Sequence, residues 1–497
     1  MIVLVTVAAL SAAPAGPPSD PAAAPPAPAS PGSSPEDLRL KILDLERRIA
    51  DLEASLQSLL SRRSLASPDP AELQRRLDLL AAELEKLRLG EAAAERPLRP
   101  SHGLGPAASK VYGVAKGVSL GGYGEAIYDN FGTRDESGAP SGEIDRFDFV
   151  RGVLYAGYKF NDTIVFNSEM EFEHASTESG GSVSVEFAYL DFLLSPHASL
   201  RAGLILVPAG LINEQHEPPT FLGAHRPMVE TRIEPATWAD NGAGIFGEAG
   251  ALSYRAYVLT GLDSSGFSAG EALREGRQGG GEAKAADFAL AARLDFTGVP
   301  GLLAGAFAYH GGSAQGAGSP VGFSVDPNGL PITPPSRSFR AAVSLYDLHV
   351  QYRARGFQFR VLYANGHLGD AKQVDDASGL QGDLSVGRRF AGGYAEAGYD
   401  LLSRSRHGEQ SIIPFVRYEA FNTQRRVPGE APQDPDPSPL VQPAPFAPDP
   451  ANDVRAWTVG VVYKPILNVS VKLDYQKISN EAETGVDQIS FGLGYLF

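Results

Sequence analysis

The sequence predicts an all-β fold, a transmembrane antiparallel β-barrel of about sixteen strands preceded by an N-terminal α-helical coiled coil. Three observations carry this. Apolar residues recur at every second position from Val118 to the end of the chain, the spacing that gives a strand one apolar face. Short and long connections between these segments alternate along the chain, as in barrels with tight turns at one end and long loops at the other. The final segment, Asp487 to Phe497, places Ile489, Phe491, Leu493, Tyr495 and Phe497 on one face and Gln488, Ser490, Gly492 and Gly494 among those on the other.

In chain order, Ile2 to Ala13 is a short apolar run followed by small residues, Ala13 and Ala15 among them. It is too short to span a bilayer as a helix but suits a signal peptide over 1–15, although a basic leading region is missing. Residues 16–35 are rich in Ala, Pro and Ser and predict an extended linker. From 36 to 89 the spacing changes. Leu38, Ile42, Leu45, Ile49, Leu52, Leu56 and Leu59 step by four and three, and Leu73, Leu77, Leu80, Leu84 and Leu87 resume the seam after a Ser/Pro break. That heptad pattern predicts a coiled coil joining copies of the chain, with a helical hairpin on one chain as the alternative. Residues 90–117 lack periodicity and read as a second linker.

The barrel is expected over 118–497. Its clearest strand sets Tyr346, Leu348, Val350 and Tyr352 against Asp347, His349, Gln351 and Arg353. Around Val183 to Leu194 the facing is ambiguous, because Glu186 and Asp191 fall on opposite faces. Pro414 lies inside a predicted strand, where it removes a ladder donor, so a bulge is expected there. Short links fall near Asn161, Ser195, Ala249, Thr297, Ala354, Ser403 and Pro465, with longer ones between. A closed sheet suits a membrane because every backbone polar group is paired without a free edge.

Composition narrows the function. With no Cys there are no disulfides, thiolate metal sites or cysteine nucleophiles, and a net charge of -16 argues against nucleic acid as a partner. Gly266 to Gly270 (GFSAG) matches a nucleophile-elbow pattern around Ser268, but in a predicted loop rather than on a strand-to-helix turn. No enzymatic activity and no cofactor are expected.

The third long loop, Pro208 to Asp240, is dense in titratable groups. Glu214, His216, Glu217, His225, Arg226, Glu230 and Arg232 are candidates for a pore-constricting element, with Glu234 beside them. Phe221, Leu222 and Trp238 supply apolar anchors. Folded inward, such a loop narrows a pore and sets its field; left outside, it is a solvated surface loop. His216 and His225 fit no metal-binding spacing, and no metal is expected. The alternating pattern also assigns a lumen-facing charged set: Arg151, Lys159, Glu169, Glu171, Arg201, Arg255, Arg293, Asp347, Arg353, Arg360, Glu396, Arg417, Glu419, Lys472 and Asp474. Glu125, Glu173 and Asp295 add to it, and the two signs nearly cancel.

Two stretches carry a family resemblance. RAGLILVPAGL from Arg201 to Leu211, and MVETRIEPATW from Met228 to Trp238 running on to NGAGIFG at Asn241 to Gly247, resemble the strand-to-loop signature of phosphate-selective porins of the O/P type. The closing Tyr495 and Phe497 also resemble the end strand of bacterial outer-membrane barrels, where the aromatic terminus is the membrane-insertion signal. These resemblances imply a homotrimeric sixteen-stranded porin in the outer membrane. They also imply an inward third loop, contact with outer-membrane lipid and insertion by the barrel-assembly machinery. An N-terminal coiled coil is frequent in that family.

The expected function is a porin. It would form a water-filled channel for passive diffusion of ions, phosphate or other anions among them, and of small solutes, with weak selectivity. The alternative is a structural anchor whose coiled coil in the periplasm tethers the outer membrane to the cell wall.

Overall fold

The computed structural model describes residues 100–176, 180–320, 324–325, 331–332, 336–404, 409–429 and 446–497. The expected signal peptide, first linker and coiled coil fall outside the described residues. Arg96–Phe497 forms one compact unit.

Sixteen strands close into a single antiparallel barrel. We number them β1 (Gly117–Phe131), β2 (Arg146–Lys159), β3 (Ile164–Glu173), β4 (Val183–Phe192), β5 (Ser199–Leu206), β6 (Ala239–Ala249), β7 (Leu252–Leu259), β8 (Ala289–Phe296), β9 (Leu302–Gly311), β10 (Val343–Ala354), β11 (Phe357–Leu368), β12 (Arg389–Tyr399), β13 (Ser411–Arg426), β14 (Asp453–Ile466), β15 (Val469–Asn480) and β16 (Gln488–Leu496). The expected count and the alternation of short turns with long loops both hold. Two small hairpin ladders, Gly318–Pro320 with Ser336–Ser338 and Ser324–Val325 with Pro331–Ile332, decorate the loop after β9. No described helix is long and apolar enough to cross a membrane.

Closure depends on the last strand. β16 pairs with β1 from Tyr123 opposite Leu496 to Phe131 opposite Gln488. Phe497 extends the seam by exchanging backbone hydrogen bonds with Gly122, at 2.9 and 3.0 Å. The Tyr495 ring lies across Gly124, where an added Cβ would stand 2.4 Å from its Cζ. Aromatic cover over a strand glycine of this kind pins register. Antiparallel pairing throughout leaves no open edge.

The outer surface is apolar. Leu120, Leu200, Leu290, Leu348, Trp457, Val459, Leu473, Ile489, Phe491 and Leu493 are exposed although large and hydrophobic. They are the outward members of the alternating pattern. Exposed apolar residues on this scale, all around a barrel, mark a surface built to meet something other than water.

Two local readings are corrected. The ambiguity in β4 is a bulge: Phe187 pairs with Glu169 and Val185 with Met170, so Glu186 is the extra residue. The bulge re-aims the strand, and Phe187, Tyr189 and Asp191 on one side of it share the interior with Ser184 and Glu186 on the other. At Pro414 there is no bulge. The ladder with β14 runs through it in register, Pro414 opposite Val461. The ladder with β12 ends one residue away, at Phe415 opposite Gly398, so the missing N–H falls where that pairing stops.

The loop after β11 carries a short helix, Ala371–Ser378, whose own Asp375 lies on its buried face. The Val386 N–H donates to Asp375 Oδ1 at 2.8 Å, yet burial pushes this carboxyl up to about 7, aided by Asp376 and opposed by Lys372. Since the folded value lies above the ordinary 3.8, its favourable contribution is complete below about pH 4 and is lost as pH rises through about 7. Asp375→Asn should therefore slow proteolysis of this loop at pH 8, by about 1–2 kcal/mol of local stability, and leave it unchanged at pH 4. Limited digestion with a protease active at both values checks this.

Candidate functional site

The loop 207–238 folds inward and crosses the barrel interior. Its two ends are tied together first. Asn213 Nδ2 donates to the carbonyls of Val207 (2.6 Å) and Trp238 (2.9 Å), and the Trp238 N–H returns a bond to Asn213 Oδ1 at 2.7 Å. Trp238 is fully buried against Tyr309 and donates through Nε1 to Asp240 at 3.0 Å. Phe221 and Leu222 are also buried, so all three apolar anchors hold.

Glu230 fastens the middle of the loop. It sits in a one-turn helix, Val229–Arg232. Its Oε2 accepts from the N–H groups of Leu211 and Ile212, both at 2.7 Å, and its Oε1 from the Tyr394 hydroxyl on β12 at 2.5 Å. One carboxylate thus joins both legs of the loop to the wall, the strong charge-assisted kind of bond.

The far part of the loop is held by cations and carboxylates of the opposite wall. Arg353 Nη2 donates to the Thr220 carbonyl at 2.6 Å and Arg360 to the same oxygen; Lys464 Nζ reaches the Pro219 carbonyl at 2.7 Å. Lys472 Nζ donates to the Gly223 carbonyl at 2.8 Å and lies 3.7 Å from the Phe221 ring centre. Asp474 accepts from the Ala224 N–H at 2.6 Å and Glu419 from that of Val229 at 3.3 Å. The Pro218 ring packs so near β16 that a Cβ on Gly494 would stand 2.4 Å from Pro218 Cβ; only glycine fits there.

The remaining charged candidates also lie inside, mostly in pairs. His216 Nε2 meets Glu169 at 3.0 Å and His225 Nε2 meets Asp129 at 2.8 Å, so the two histidines serve different strands. Arg255 pairs with Glu214 and Asp295, and Arg293 with Asp295 at 2.8 Å. His349 Nε2 also reaches Asp295 at 2.8 Å, while Asp347 takes the Gly210 N–H at 3.1 Å. Arg201 pairs with Asp191 at 2.8 Å. Arg417 joins Glu419 (3.1 Å) and Glu396 (3.4 Å), and Arg360 lies 3.9 Å from Glu396. Arg151 lies 3.2 Å from Glu125 and 2.8 Å from Glu171. Lys159 pairs with Asp162 at the turn end, at 3.3 Å. Arg226 Nη2 donates to the His216 carbonyl at 3.4 Å, and Arg232 pairs with Glu271 of the next loop. Where both members are buried, removing one costs more than the pair contributes, because the other charge is stranded.

Several participants left no mark in the pattern. The loop 260–288 also turns inward, where Leu262, Phe267 and Leu273 are buried. Arg274 and Arg277 of that loop donate to the carbonyls of Ala236 and Thr237, and Thr423 on β13 donates to the Ala269 carbonyl at 2.6 Å. Ser268, centre of the GFSAG match, accepts the Glu271 N–H at 3.2 Å within this loop. Tyr123, Tyr155, Phe187, Tyr189, Tyr257, Phe307 and Tyr309 point inward and pack under both loops. The described end of the expected second linker also departs from expectation. Ser101 to Gly113 lies inside the turn end of the barrel, with Leu104, Ala107, Ala108 and Val111 buried. A polar, water-filled interior was expected, whereas much of it is occupied by these segments.

Two cavities stay open among the described residues: one of about 560 Å³ at the turn end, lined by His102, Asp162, Phe246 and Arg255 among others, and one of about 460 Å³ at the loop end. The latter is lined by Arg146, Arg151, Arg226, Arg232 and Arg274, facing Glu125, Asp129 and Asp148, with His225, Thr231, Gln476 and Gln488 between. Five guanidinium groups and three carboxylates thus line it, and two of the five, Arg151 and Arg232, are paired further with Glu171 and Glu271 just outside the lining. Among the described residues, no group of three or more His, Cys, Asp and Glu side chains is placed to hold a metal ion.

No family model matches the chain. A protein of Aquifex aeolicus (strain VF5), described as an uncharacterized protein, is 36% identical over 402 residues, covering 78% of this chain and 82% of that one. Among solved structures, a loop L8 deletion mutant of OmpT, an outer membrane protein of Vibrio cholerae, aligns with a TM-score of 0.45 at 12% identity, over 77% of this chain and 100% of that one. An anion-selective porin from Comamonas acidovorans gives 0.45 at 10% identity over 76% and 99%. Salmonella typhi OmpF in complex with daunomycin gives 0.45 at 13% identity over 77% and 98%.

Proposed function

The chain belongs to the same family as the Aquifex aeolicus protein, and we propose that it is an outer-membrane porin passing small ions and solutes by passive diffusion. One observation carries the reading. A sealed sheet with an apolar exterior holds a charged loop bonded across its interior to the facing wall. A wall of this size encloses an aqueous path unless something fills it, and here loop 207–238 is the constriction. Glu214, His216, Glu217, His225, Arg226, Glu230 and Arg232 shape it, and the inward charges of the strands set its field. We place the long loops outside the cell and the short turns in the periplasm.

The arginine-lined vestibule favours anions, phosphate being one candidate of the right charge. Seven inward carboxylates are held by arginine, Asp191, Asp295 and Glu419 among them, so their field is cancelled locally, while the guanidinium groups lining the vestibule outnumber the carboxylates lining it. Planar-bilayer recordings with ion substitution test this. The expected result is small, discrete conductance steps with an anion preference of about two- to five-fold. Arg226→Gln combined with Arg274→Gln should abolish that preference. A cation-preferring channel in the unsubstituted protein would refute the assignment.

The proposal extends to assembly: a homotrimer inserted by the barrel machinery through Tyr495 and Phe497, with residues 36–89 as a periplasmic coiled coil. The second reading, an anchor tethering the membrane to the cell wall, is favoured by the filled interior. An anchor alone would carry no current.

A further inference from the structure

The segment Ser101 to Gly113 enters the barrel before β1 begins, and its contacts are to inward-facing residues at the turn end. Asn167 Nδ2 donates to the Ala108 carbonyl at 2.9 Å. The Tyr112 hydroxyl donates to Asp191 Oδ2 at 2.6 Å and accepts from Arg201 Nη2 at 3.2 Å. Val111 is buried against Gly157 of β2, where an added Cβ would stand 2.8 Å from Val111 Cβ. These bonds tie the segment to β2, β3, β4 and β5.

A second set ties it to the constriction loop. The Glu217 carboxylate accepts the N–H of Ala107 at 3.0 Å and that of Ala108 at 2.9 Å. The Gly105 N–H donates to the Glu214 carbonyl at 3.1 Å, and Gln215 Nε2 donates to the Gly103 carbonyl at 3.4 Å. Residues 214–217 are thus held from below by the segment while Glu214 and His216 reach the wall at Arg255 and Glu169. A carboxylate that accepts consecutive backbone N–H groups is a specific receptor for that backbone. Free linkers have no such receptor.

We propose that residues 101–113 are an occluding strap. Seated, the strap blocks part of the periplasmic mouth and braces the constriction loop through Glu217. Withdrawn, it opens the mouth and frees residues 214–217. The gate thus lies immediately before β1, at the turn end of the wall. The inference rests on the channel reading above.

The chain has no Cys, so an introduced pair is unambiguous. Val111→Cys with Gly157→Cys locks the strap; the 2.8 Å Cβ separation must open by about 1 Å to reach disulfide geometry. Ala108→Asp expels it, by placing a carboxylate in a buried site beside that of Glu217. Full-length protein is recorded in planar bilayers, and altered mobility of unboiled samples confirms that each variant is folded. The oxidised pair should lose the larger openings of the wild type and regain them on reduction. Ala108→Asp should raise mean conductance at least about two-fold. Equal currents from locked, reduced and wild-type protein overturn the strap and leave the channel standing. Should Ala108→Asp not fold, the oxidised and reduced states of the locked pair decide alone. Absence of current from every folded form, reduced pair included, overturns the channel and the strap with it.

Discussion

Leu348→Arg is expected to destabilise the protein by about 2–4 kcal/mol in a bilayer, although Leu348 is 59% exposed. In a water-soluble protein, a substitution at so exposed a position shifts stability by about 0.5 kcal/mol or less. Leu348 lies midway along β10, outward, between Ala306 of β9 and Tyr363 of β11. If hydrocarbon surrounds it, the guanidinium must leave water to sit there. Depth supplies the internal control. Phe357 is 55% exposed but starts β11 at the turn end, so Phe357→Arg should cost about 0–1 kcal/mol. Reversible unfolding from lipid vesicles gives both values, and equal small effects would mean the exterior faces water.

Glu230→Ala should have the largest effect on the interior. Glu230 is 1% exposed, and its loss leaves the N–H groups of Leu211 and Ile212 and the Tyr394 hydroxyl without their acceptor. Each buried donor left unsatisfied costs about 1–3 kcal/mol. The sixteen-strand ladder makes none of its bonds through Glu230, so the barrel should still form. The loop, however, loses the link between its two legs and the wall. Recorded in planar bilayers, the variant should show noisy openings and conductance raised about two-fold or more. Glu230→Gln keeps one acceptor oxygen and should fall between the two. Wild-type conductance and noise in Glu230→Ala would show that the loop is held by other contacts.

Much of the barrel was legible because the membrane-type pattern is local. The ladder from Tyr346 to Arg353 needs only the two-residue period of a strand, and the structure keeps its facing. The same holds for Ile489 to Tyr495. The β4 bulge was hidden because one inserted residue reverses the facing without a distinguishing side chain at Glu186. The filled interior was hidden for a different reason. Tyr123, Tyr155 and Tyr189 are apolar enough to suit either face, so alternation does not say that they pack on loops. The density of charge in loop 207–238 was visible in sequence, but its partners are not. Gly210 and Asp347 are 137 residues apart, and Ala224 and Asp474 are 250 apart. In segment 101–113 the buried positions Leu104, Ala107, Ala108 and Val111 are too few and two of them too small to stand out as a face, and much of its bonding to the rest of the chain is made by its backbone.

The account stands on the two faces of the wall meeting different solvents, and a label scan of β16 tests that most directly. Single cysteines placed in turn from 488 to 496, the tightly packed Gly494 excepted, each the sole thiol of the chain, would carry spin labels in protein reconstituted in lipid. Collision with oxygen, which partitions into hydrocarbon, should peak at 489, 491, 493 and 495 and fall at the positions between. Water-soluble nickel complexes should not reach those four labels. Free access of the nickel complex to the labels at 491 and 493 would contradict the account.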